Sequence, residues 1–247
     1  MKRKKPLLKS SEKILKLGIP AGSLQKATIE LFDKAGLHIV DSERSYFPRI
    51  DDEQIHPVML RAQEMSRYVS DGILDAGITG HDWIMENGSD VVEVCQLNYS
   101  KTTSKPAKWV LAVPSESDKT KPQDLAGGLI ATELVNVTRK YFADKKIDVK
   151  VEFSWGATEV KARLVDAIVE LTETGSSLRA NNLRVLDTVI TSTTRFIANR
   201  QAWQDKFKRE KIENISILLN AAIDARSRVG LKLNVKKADL DSILKVL

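Results

Sequence analysis

A chain of 247 residues is long enough for one large domain or two ordinary ones. Hydrophobic residues at 42% and charged residues at 29% are typical of a folded globular protein and exclude a disordered or fibrous one. The formal net charge of +6 lies mostly in the first thirteen residues, which hold six Lys or Arg and one Glu. The rest of the chain is close to neutral and lacks a basic stripe, so we predict no nucleic-acid partner.

Targeting and disulfide signals bound the expected cellular setting. No apolar run approaches the ~20 residues that span a bilayer, and the triplet "PLL" in the basic first segment is too short for the core of a secretory signal. Cys95 is the one cysteine, which excludes a disulfide framework within the chain. We therefore predict no membrane partner, a reduced cytoplasmic setting, and a flexible basic arm over residues 1–13.

Hydrophobic periodicity predicts alternating strands and helices. In chain order, the first half is predicted to contain strands over 14–20, 37–43, 73–80 and 91–99 and helices over 22–36, 57–72 and 81–88. The second half is predicted to contain strands over 108–114, 129–133, 149–155, 167–173 and 183–200 and helices over 134–147, 157–166 and 201–228.

This alternation favours an α/β architecture with parallel sheets, and the strands are too many for one compact sheet. The polar stretch "NYSKTTSKPAKW" (98–109) is a plausible crossing between two lobes, and "DTVITSTTRFIA" (187–198) is the best candidate for the return. We predict lobe I over 14–106 and 192–228, and lobe II over 107–191.

The stretch "ELTETGSSLRANN" (170–182) follows the apolar end of a predicted strand. Glycine, serine and threonine at a helix start form a cradle of N–H and O–H donors that favours phosphate. A carboxylate just before such a loop would repel phosphate, so it should face ribose hydroxyls or a magnesium ion instead. The pattern therefore indicates a sugar phosphate, although an ordinary capped helix start explains the same residues.

Three further strand ends carry small or polar residues, where ligands collect in α/β sheets. They are "IPAGSLQ", "DAGITGHD" and "SWGATE". Asp75 is predicted in mid-strand with Asp82 just past the turn, and both Asp82 and Ser23 could be simple helix caps. His38, His56 and His81 show no metal-ligand spacing.

Taken together, these segments resemble the ATP phosphoribosyltransferase family, the first enzyme of histidine biosynthesis. The resemblance runs from about Ile14 to the end, and "DGILDAGITGHDWI" and "AIVELTETGSSLRANNLRVLDTVITSTTRFIAN" carry it. It implies condensation of ATP, through N1 of adenine, with 5-phosphoribosyl 1-diphosphate, giving phosphoribosyl-ATP and diphosphate. It also implies a requirement for Mg²⁺, held mainly by substrate phosphates, and two periplasmic-binding-protein-like lobes with the site in the cleft between them.

The resemblance also implies site residues. Glu170 and Glu173 are the expected catalytic acids, with Glu170 directed at the ribose hydroxyls. The expected phosphoribosyl diphosphate loop comprises Thr172, Glu173, Thr174, Gly175, Ser176, Ser177 and Leu178. The expected nucleotide and cleft residues are Gly22, Ser23, Leu24, Asp75, Thr79, Gly80, Asp82, Gly156, Thr158 and Glu159, with Arg49 and Arg61 as phosphate contacts.

Two departures from the family affect the expected nucleotide contacts and the expected assembly. Many relatives carry Arg where Ser23 stands, so nucleotide contacts there are expected to differ. Residues 229–247 resemble the opening of the regulatory domain of long-form members; we expect a truncated domain or packing on the catalytic lobe. A homodimer without histidine inhibition is then expected, and a hexamer only with a complete domain. A two-lobed binding protein and a nucleic-acid-binding regulator are the alternatives.

Overall fold

The computed structural model describes residues 13–42, 45–99, 106–230 and 232–245. The predicted basic arm, apart from Lys13, and residues 100–105 of the predicted crossing lie outside these ranges. The strands are β1 (Leu15–Ala21), β2 (Ile39–Ser42), β3 (Ser45–Ile50), β4 (Ile55–Arg61), β5 (Ala76–Gly80), β6 (Val92–Leu97), β7 (Ala107–Pro114), β8 (Leu129–Thr132), β9 (Lys150–Phe153), β10 (Ala167–Thr172), β11 (Leu183–Ser192) and β12 (Thr194–Ala198).

The α-helices connect and cover these strands. They are α1 (Gln25–Lys34), α2 (Ala62–Ser70), α3 (His81–Asn87), α4 (Val135–Asp144), α5 (Thr158–Lys161), α6 (Ser176–Ala180), α7 (Arg200–Gln204), α8 (Lys206–Asp224) and α9 (Leu240–Leu244). In the part of the chain that the structure describes, no helix is both long and apolar enough to cross a membrane.

Two five-stranded sheets form the two lobes. Lobe I has the order β4-β1-β5-β12-β6, and lobe II has the order β11-β7-β10-β8-β9. In lobe I, β1 runs parallel to β4 and β5, while β12 runs antiparallel to β5 and β6. In lobe II, β8 runs parallel to β9 and β10, while β7 runs antiparallel to β10 and β11. The predicted fold class, α/β with two lobes of mixed sheet, is confirmed.

The chain passes between the lobes twice. It leaves lobe I after β6 and enters lobe II at β7, and it returns between β11 and β12, where Thr193 separates the two strands. The predicted single extended segment over 183–200 is therefore two strands that belong to different sheets. The carboxyl ends of parallel strands from both lobes face one another across a cleft, since residues at the ends of β1, β4, β8 and β10 line one cavity.

Apolar side chains of each lobe fill that lobe's own core. In lobe I, Leu17, Phe32 and Phe196 are fully buried together with Leu219 of α8, so the last long helix packs on the first lobe. In lobe II, Leu111, Val169 and Phe142 are almost completely buried against one another. Burying one such side chain contributes roughly 1.5–3 kcal/mol, which makes each core the main source of its lobe's stability.

Three helix predictions need correction. The helix predicted over 157–166 is only the four-residue α5 (Thr158–Lys161). The helix predicted over 57–72 begins at Ala62, because residues 55–61 form β4, whose apolar run pairs with β1. The helix predicted over 201–228 is interrupted at Asp205, whose extended backbone and side-chain bond to the Lys208 N–H (2.9 Å) start α8 afresh. Beyond Arg228, no described residue is buried, and Val229 is 95% exposed; the expected packing on the catalytic lobe is absent from this described part.

Candidate active site

A cavity of about 390 Å³ lies between the lobes. Both sheets contribute the carboxyl ends of strands to it, and the return passage at Ser192, Thr193 and Thr194 forms part of its wall. Eight residues that the sequence predicted line this cavity: Gly22, Ser23, Leu24, Arg61, Gly80, Asp82, Glu170 and Glu173. Residues more than 140 positions apart in the chain thus meet at one concave surface, as expected for a ligand site.

The lobe I wall is set by parallel pairing of β1 and β4. The register places Ala21 opposite Arg61, so the turn Gly22–Leu24 and the Arg61 side chain lie side by side at the same edge of the sheet. Gly22 has φ +89°, a conformation that glycine adopts without strain, and its N–H donates to the Gln25 side chain (3.3 Å) at the start of α1. Arg61 is exposed, so its guanidinium can reach an anion in the cleft.

Asp82 lies in the first turn of α3, at the junction of the two lobes. Its Oδ1 accepts the Ser192 hydroxyl (2.8 Å), its Oδ2 accepts Trp109 Nε1–H (2.6 Å), and its N–H donates to Ser192 Oγ (3.1 Å). A Cβ at Gly80 would stand 2.0 Å from Asp82 Oδ1, so only glycine allows this approach. Asp82 therefore joins lobe I, the return passage and β7 of lobe II.

The lobe II wall carries acids on neighbouring strands. The β8–β10 register places Thr132 opposite Val169, so Glu133, just past the end of β8, and Glu170 of β10 are neighbours at the cavity. Burial raises the pKa of Glu170 to about 7, and the charges of Glu159 and Glu133 add to the rise. Hydrogen bonds from the Leu171 N–H (2.9 Å) and the Thr158 hydroxyl oppose it. Perturbed acids of this kind concentrate at functional sites.

The loop after β10 forms a tight turn into α6. Gly175 has φ +71° and its N–H donates to Thr172 Oγ1 (2.7 Å), which closes the turn. The Thr174 hydroxyl donates to Ser176 Oγ (3.1 Å), and Leu178 is buried in the lobe II core. Ser176 and Ser177 are exposed at the first turn of α6, where N–H groups lack partners within the helix. The loop is thus anchored at its base and open at its tip.

The segment "SWGATE" supports this loop from the side. The Ser177 hydroxyl donates to Glu159, and Thr158 Oγ1 lies 2.9 Å from Ser154 Oγ. Lys161 Nζ donates to Ser154 Oγ (2.8 Å), which extends the chain of hydrogen bonds that ends at Glu170. Thr158 and Glu159 therefore contact site residues without lining the cavity themselves. Gly156, at φ +56°, is exposed in the turn that precedes α5.

Three predicted cleft residues lie elsewhere. Asp75 was predicted in mid-strand but precedes β5, five residues before Gly80, or about 16 Å along an extended chain. Its carboxylate accepts Lys208 Nζ (2.7 Å) and the Lys16 N–H (2.8 Å), a structural role at the opposite edge of the sheet. Thr79 is fully buried and donates to the Ala62 carbonyl oxygen (2.7 Å), and Arg49 is exposed on β3, outside the cavity lining.

Several residues of the cavity wall were not predicted. Trp109 of β7 and Tyr99, just after β6, are almost fully buried and line the cavity, and a sequence gives no sign that a buried aromatic residue will face a cleft. Glu133 comes directly after β8, where ligands collect in α/β sheets, and that position was the available signal. The hydroxyl run "TSTT" around Ser192 was a second available signal, because consecutive small polar residues at a predicted crossing between lobes favour a ligand site.

Comparison with known proteins gives the same assignment. The family model of ATP phosphoribosyltransferase (HisG) matches residues 61–221, more than half of the chain. An ATP phosphoribosyltransferase of Chlorobaculum parvum is 55% identical over 238 residues, which are 96% of this chain and 81% of that protein.

Solved structures agree with the two-lobed fold. A chain of the ATP phosphoribosyl transferase (HisG:HisZ) complex from Thermotoga maritima matches with a TM-score of 0.73 and 28% identity, covering 85% of this chain and 99% of that one. The alkanesulfonate-binding protein SsuA from Xanthomonas axonopodis pv. citri, bound to MOPS, matches with a TM-score of 0.55 and 17% identity, covering 89% and 76%. The second match shows the fold alone and confirms the periplasmic-binding-protein-like expectation. The chain belongs to the ATP phosphoribosyltransferase family, the transferases of the first step of histidine biosynthesis.

Proposed function

We propose that the cavity between the lobes holds ATP and 5-phosphoribosyl 1-diphosphate in line for the family's reaction. N1 of adenine forms a bond to C1 of the ribose as the bond from C1 to the diphosphate oxygen breaks, giving phosphoribosyl-ATP and diphosphate. The observation that carries this proposal is Glu170, which lines the cavity beside the anchored loop 172–178. Placing the two reactants in line can supply ~7–11 kcal/mol of the barrier.

The loop is assigned to the 5-phosphate of the sugar substrate. Thr174, Ser176 and Ser177 bring hydroxyl groups to the loop, and those of Thr174 and Ser177 would exchange their bonds to Ser176 and Glu159 for bonds to the phosphate. The first turn of α6 adds backbone N–H groups of the kind that favour phosphate. The hydrogen bond between Thr172 and the Gly175 N–H holds the turn in shape before the substrate arrives. Such preorganisation reduces the entropy cost of binding.

The acids of lobe II are assigned to the ribose. Glu170, in its ionised form, accepts hydrogen bonds from the ribose hydroxyls and stabilises positive charge that develops on the sugar as diphosphate departs. Glu173, which belongs to the loop and also lines the cavity, is assigned to stabilise the same positive charge on the sugar. The lobe I wall, with Gly22–Leu24 and Arg61, is assigned to the nucleotide and its phosphates.

Mg²⁺ is proposed to enter with the substrate phosphates. Carboxylate oxygens suit this ion, and Glu133, Glu170 and Glu173 line the cavity. In the described part of the chain, however, no group of three or more His, Cys, Asp or Glu could hold a metal by itself. Phosphate oxygens and water therefore supply most of the ligands, with these carboxylates nearby. When bound, the ion neutralises the diphosphate and makes it a better leaving group.

The proposed setting is the cytoplasm, where ATP and phosphoribosyl diphosphate are available, and the proposed assembly is a homodimer. The solved relative from Thermotoga maritima is a HisG:HisZ complex, so chains of this family take part in assemblies. Size-exclusion chromatography with light scattering measures the assembly directly. A mass that corresponds to one chain would contradict the dimer.

One assay tests the activity. The protein is mixed with ATP, phosphoribosyl diphosphate and Mg²⁺, and phosphoribosyl-ATP is followed by ultraviolet absorbance with pyrophosphatase present. We expect product formation that depends on all three components. If both substrates bind in calorimetry and no product forms, the chain acts as a two-lobed binding protein instead.

A further inference from the structure

Helix α4 lacks a capping residue of its own. Leu134 occupies its N-cap position, no acidic residue lies in its first turn, and no side chain of the cap residue accepts a hydrogen bond. The first N–H groups of any helix have no partner within the helix, and Leu is among the poorest residues at this position. Acceptors for these N–H groups must therefore come from elsewhere.

Glu86, in α3 of the other lobe, supplies them. Its two carboxylate oxygens accept the Asn136 N–H at 3.0 and 2.9 Å, and one of them accepts the Val137 N–H at 3.0 Å. The Asn136 side-chain amide donates back to the Glu86 carbonyl oxygen (3.0 Å). Because the negative carboxylate also faces the positive end of the α4 dipole, the contact is favourable electrostatically.

The start of α4 is close to the cavity. Glu133, immediately before the N-cap residue, lines the cavity and lies near Glu170. Thr132 Oγ1 accepts the Leu134 N–H (3.0 Å), so the segment from β8 into α4 is a tight turn without slack. Glu86 itself is outside the cavity lining. A movement of α4 relative to α3 would therefore displace Glu133 and change the span of the cavity.

We infer that Glu86 is an inter-lobe positioning residue, which caps α4 from lobe I and thereby fixes the wall of the cavity that carries Glu133. The kinetic part of this inference rests on the proposed function; the structural part does not. Weakening the cap lets the lobes sample wider spans, so substrate binding must restore the productive spacing and affinity falls. Once both substrates are bound, the spacing is restored and turnover is nearly unchanged.

The test compares Glu86→Gln and Glu86→Ala with the parent chain. The control is Glu30→Gln, an exposed glutamate on α1 whose pairing with Lys26 (3.9 Å) stays within one helix. Amide hydrogen exchange is measured by mass spectrometry over the N-cap residue and first turn of α4, residues 134–138. We expect about fivefold faster exchange there in Glu86→Ala, a smaller increase in Glu86→Gln, which keeps one acceptor oxygen, and no change in the control.

Steady-state kinetics provide the second measurement. We expect KM for one or both substrates to rise about three- to tenfold in Glu86→Ala while kcat changes less than twofold, with Glu86→Asp restoring part of the difference. Unchanged exchange over residues 134–138 in both Glu86 variants overturns the inference, whatever the activity. Altered exchange with unchanged KM also overturns it, because the cap would then be structural only. An inactive parent chain refutes the proposed function instead and leaves the exchange result decisive for the cap.

Discussion

The two lobes present acids to one cavity in opposite ways. Asp82 of lobe I is 4% exposed, and its two oxygens accept hydrogen bonds from Ser192 and Trp109. Glu170 of lobe II faces other carboxylates, and its burial raises its pKa to about 7. The Asp82 carboxylate accepts side-chain donors on both oxygens and so connects parts of the fold. Glu170 also accepts hydrogen bonds, but burial and the neighbouring carboxylates outweigh them, so it is poised for a ligand that brings hydroxyls or a cation. The partners of an acid, more than its place at a cleft, therefore assign its role.

The largest expected effect is on activity. Glu170→Gln should lower kcat/KM for phosphoribosyl diphosphate by about 100-fold or more, because the neutral amide cannot stabilise the positive charge that develops on the sugar. The same exchange at Glu210, on the surface of α8, is the matched control and should leave kcat/KM unchanged. If the Glu170 variant kept activity within threefold of the parent, Glu170 would have no catalytic role that distinguishes it from Asp82.

The structural role of Asp82 is tested by removing one of its donors, Trp109. Trp109→Phe keeps an aromatic ring but removes the N–H that donates to Asp82, so the free energy of unfolding should fall by about 2 kcal/mol. Trp155→Phe is the matched control, because Trp155 is 86% exposed and its loss should change stability by less than about 0.5 kcal/mol. Urea titration followed by circular dichroism measures both. Equal stability of the two variants would mean that the Asp82 contact contributes little.

The sequence predicted the fold class because apolar periodicity and strand-ending glycines are local signals. It misplaced the start of α2, because the short apolar run of β4 reads equally as a strand or as part of a buried helix. The roles of the acids were harder to predict for another reason. The donors to Asp82 lie 27 and 110 residues away, so only the folded chain shows that Asp82 is engaged.

In the candidate site too, residues that are close in the chain were predicted and residues brought together by folding were not. The motif around Glu170 was recognisable because the acid, the glycine turn and the hydroxyl residues are adjacent in the chain. Glu133 was missed because it approaches Glu170 through strand pairing. Asp75 was predicted in mid-strand but precedes β5, because a motif does not show at which residue its strand begins. Local chemistry is therefore predictable from sequence, and contacts set by register are not.

The raised pKa of Glu170 gives a prediction for pH. The pKa is about 7 in the folded chain and near 4.5 when unfolded, so the fold favours the neutral acid. Its contribution to stability is fully present below about pH 4.5 and is lost as the pH rises through 7. Glu170→Gln does not titrate, so its stability advantage over the parent should grow across that window to roughly 1–2 kcal/mol at pH 8. Denaturant unfolding at pH 4 and pH 8 measures the difference, and a constant difference would contradict the assignment.

The smallest effect is expected at Asp75, a lobe I acid that lies outside the cavity and can be compared with Asp82, which lines it. Asp75→Asn keeps an acceptor for the Lys16 N–H but loses the ion pair with Lys208, so stability should fall by about 1 kcal/mol. KM for ATP and kcat should stay within twofold of the parent, because the residue lies at the amino end of β5 and the cavity lies at the carboxyl end. Lys208→Gln removes the same ion pair from the other side and should have a similar effect on stability. If instead KM for ATP rose more than threefold while stability held, Asp75 would belong to the nucleotide site. Hydrogen bonds and ion pairs within the protein would then no longer distinguish a structural acid from one that binds substrate.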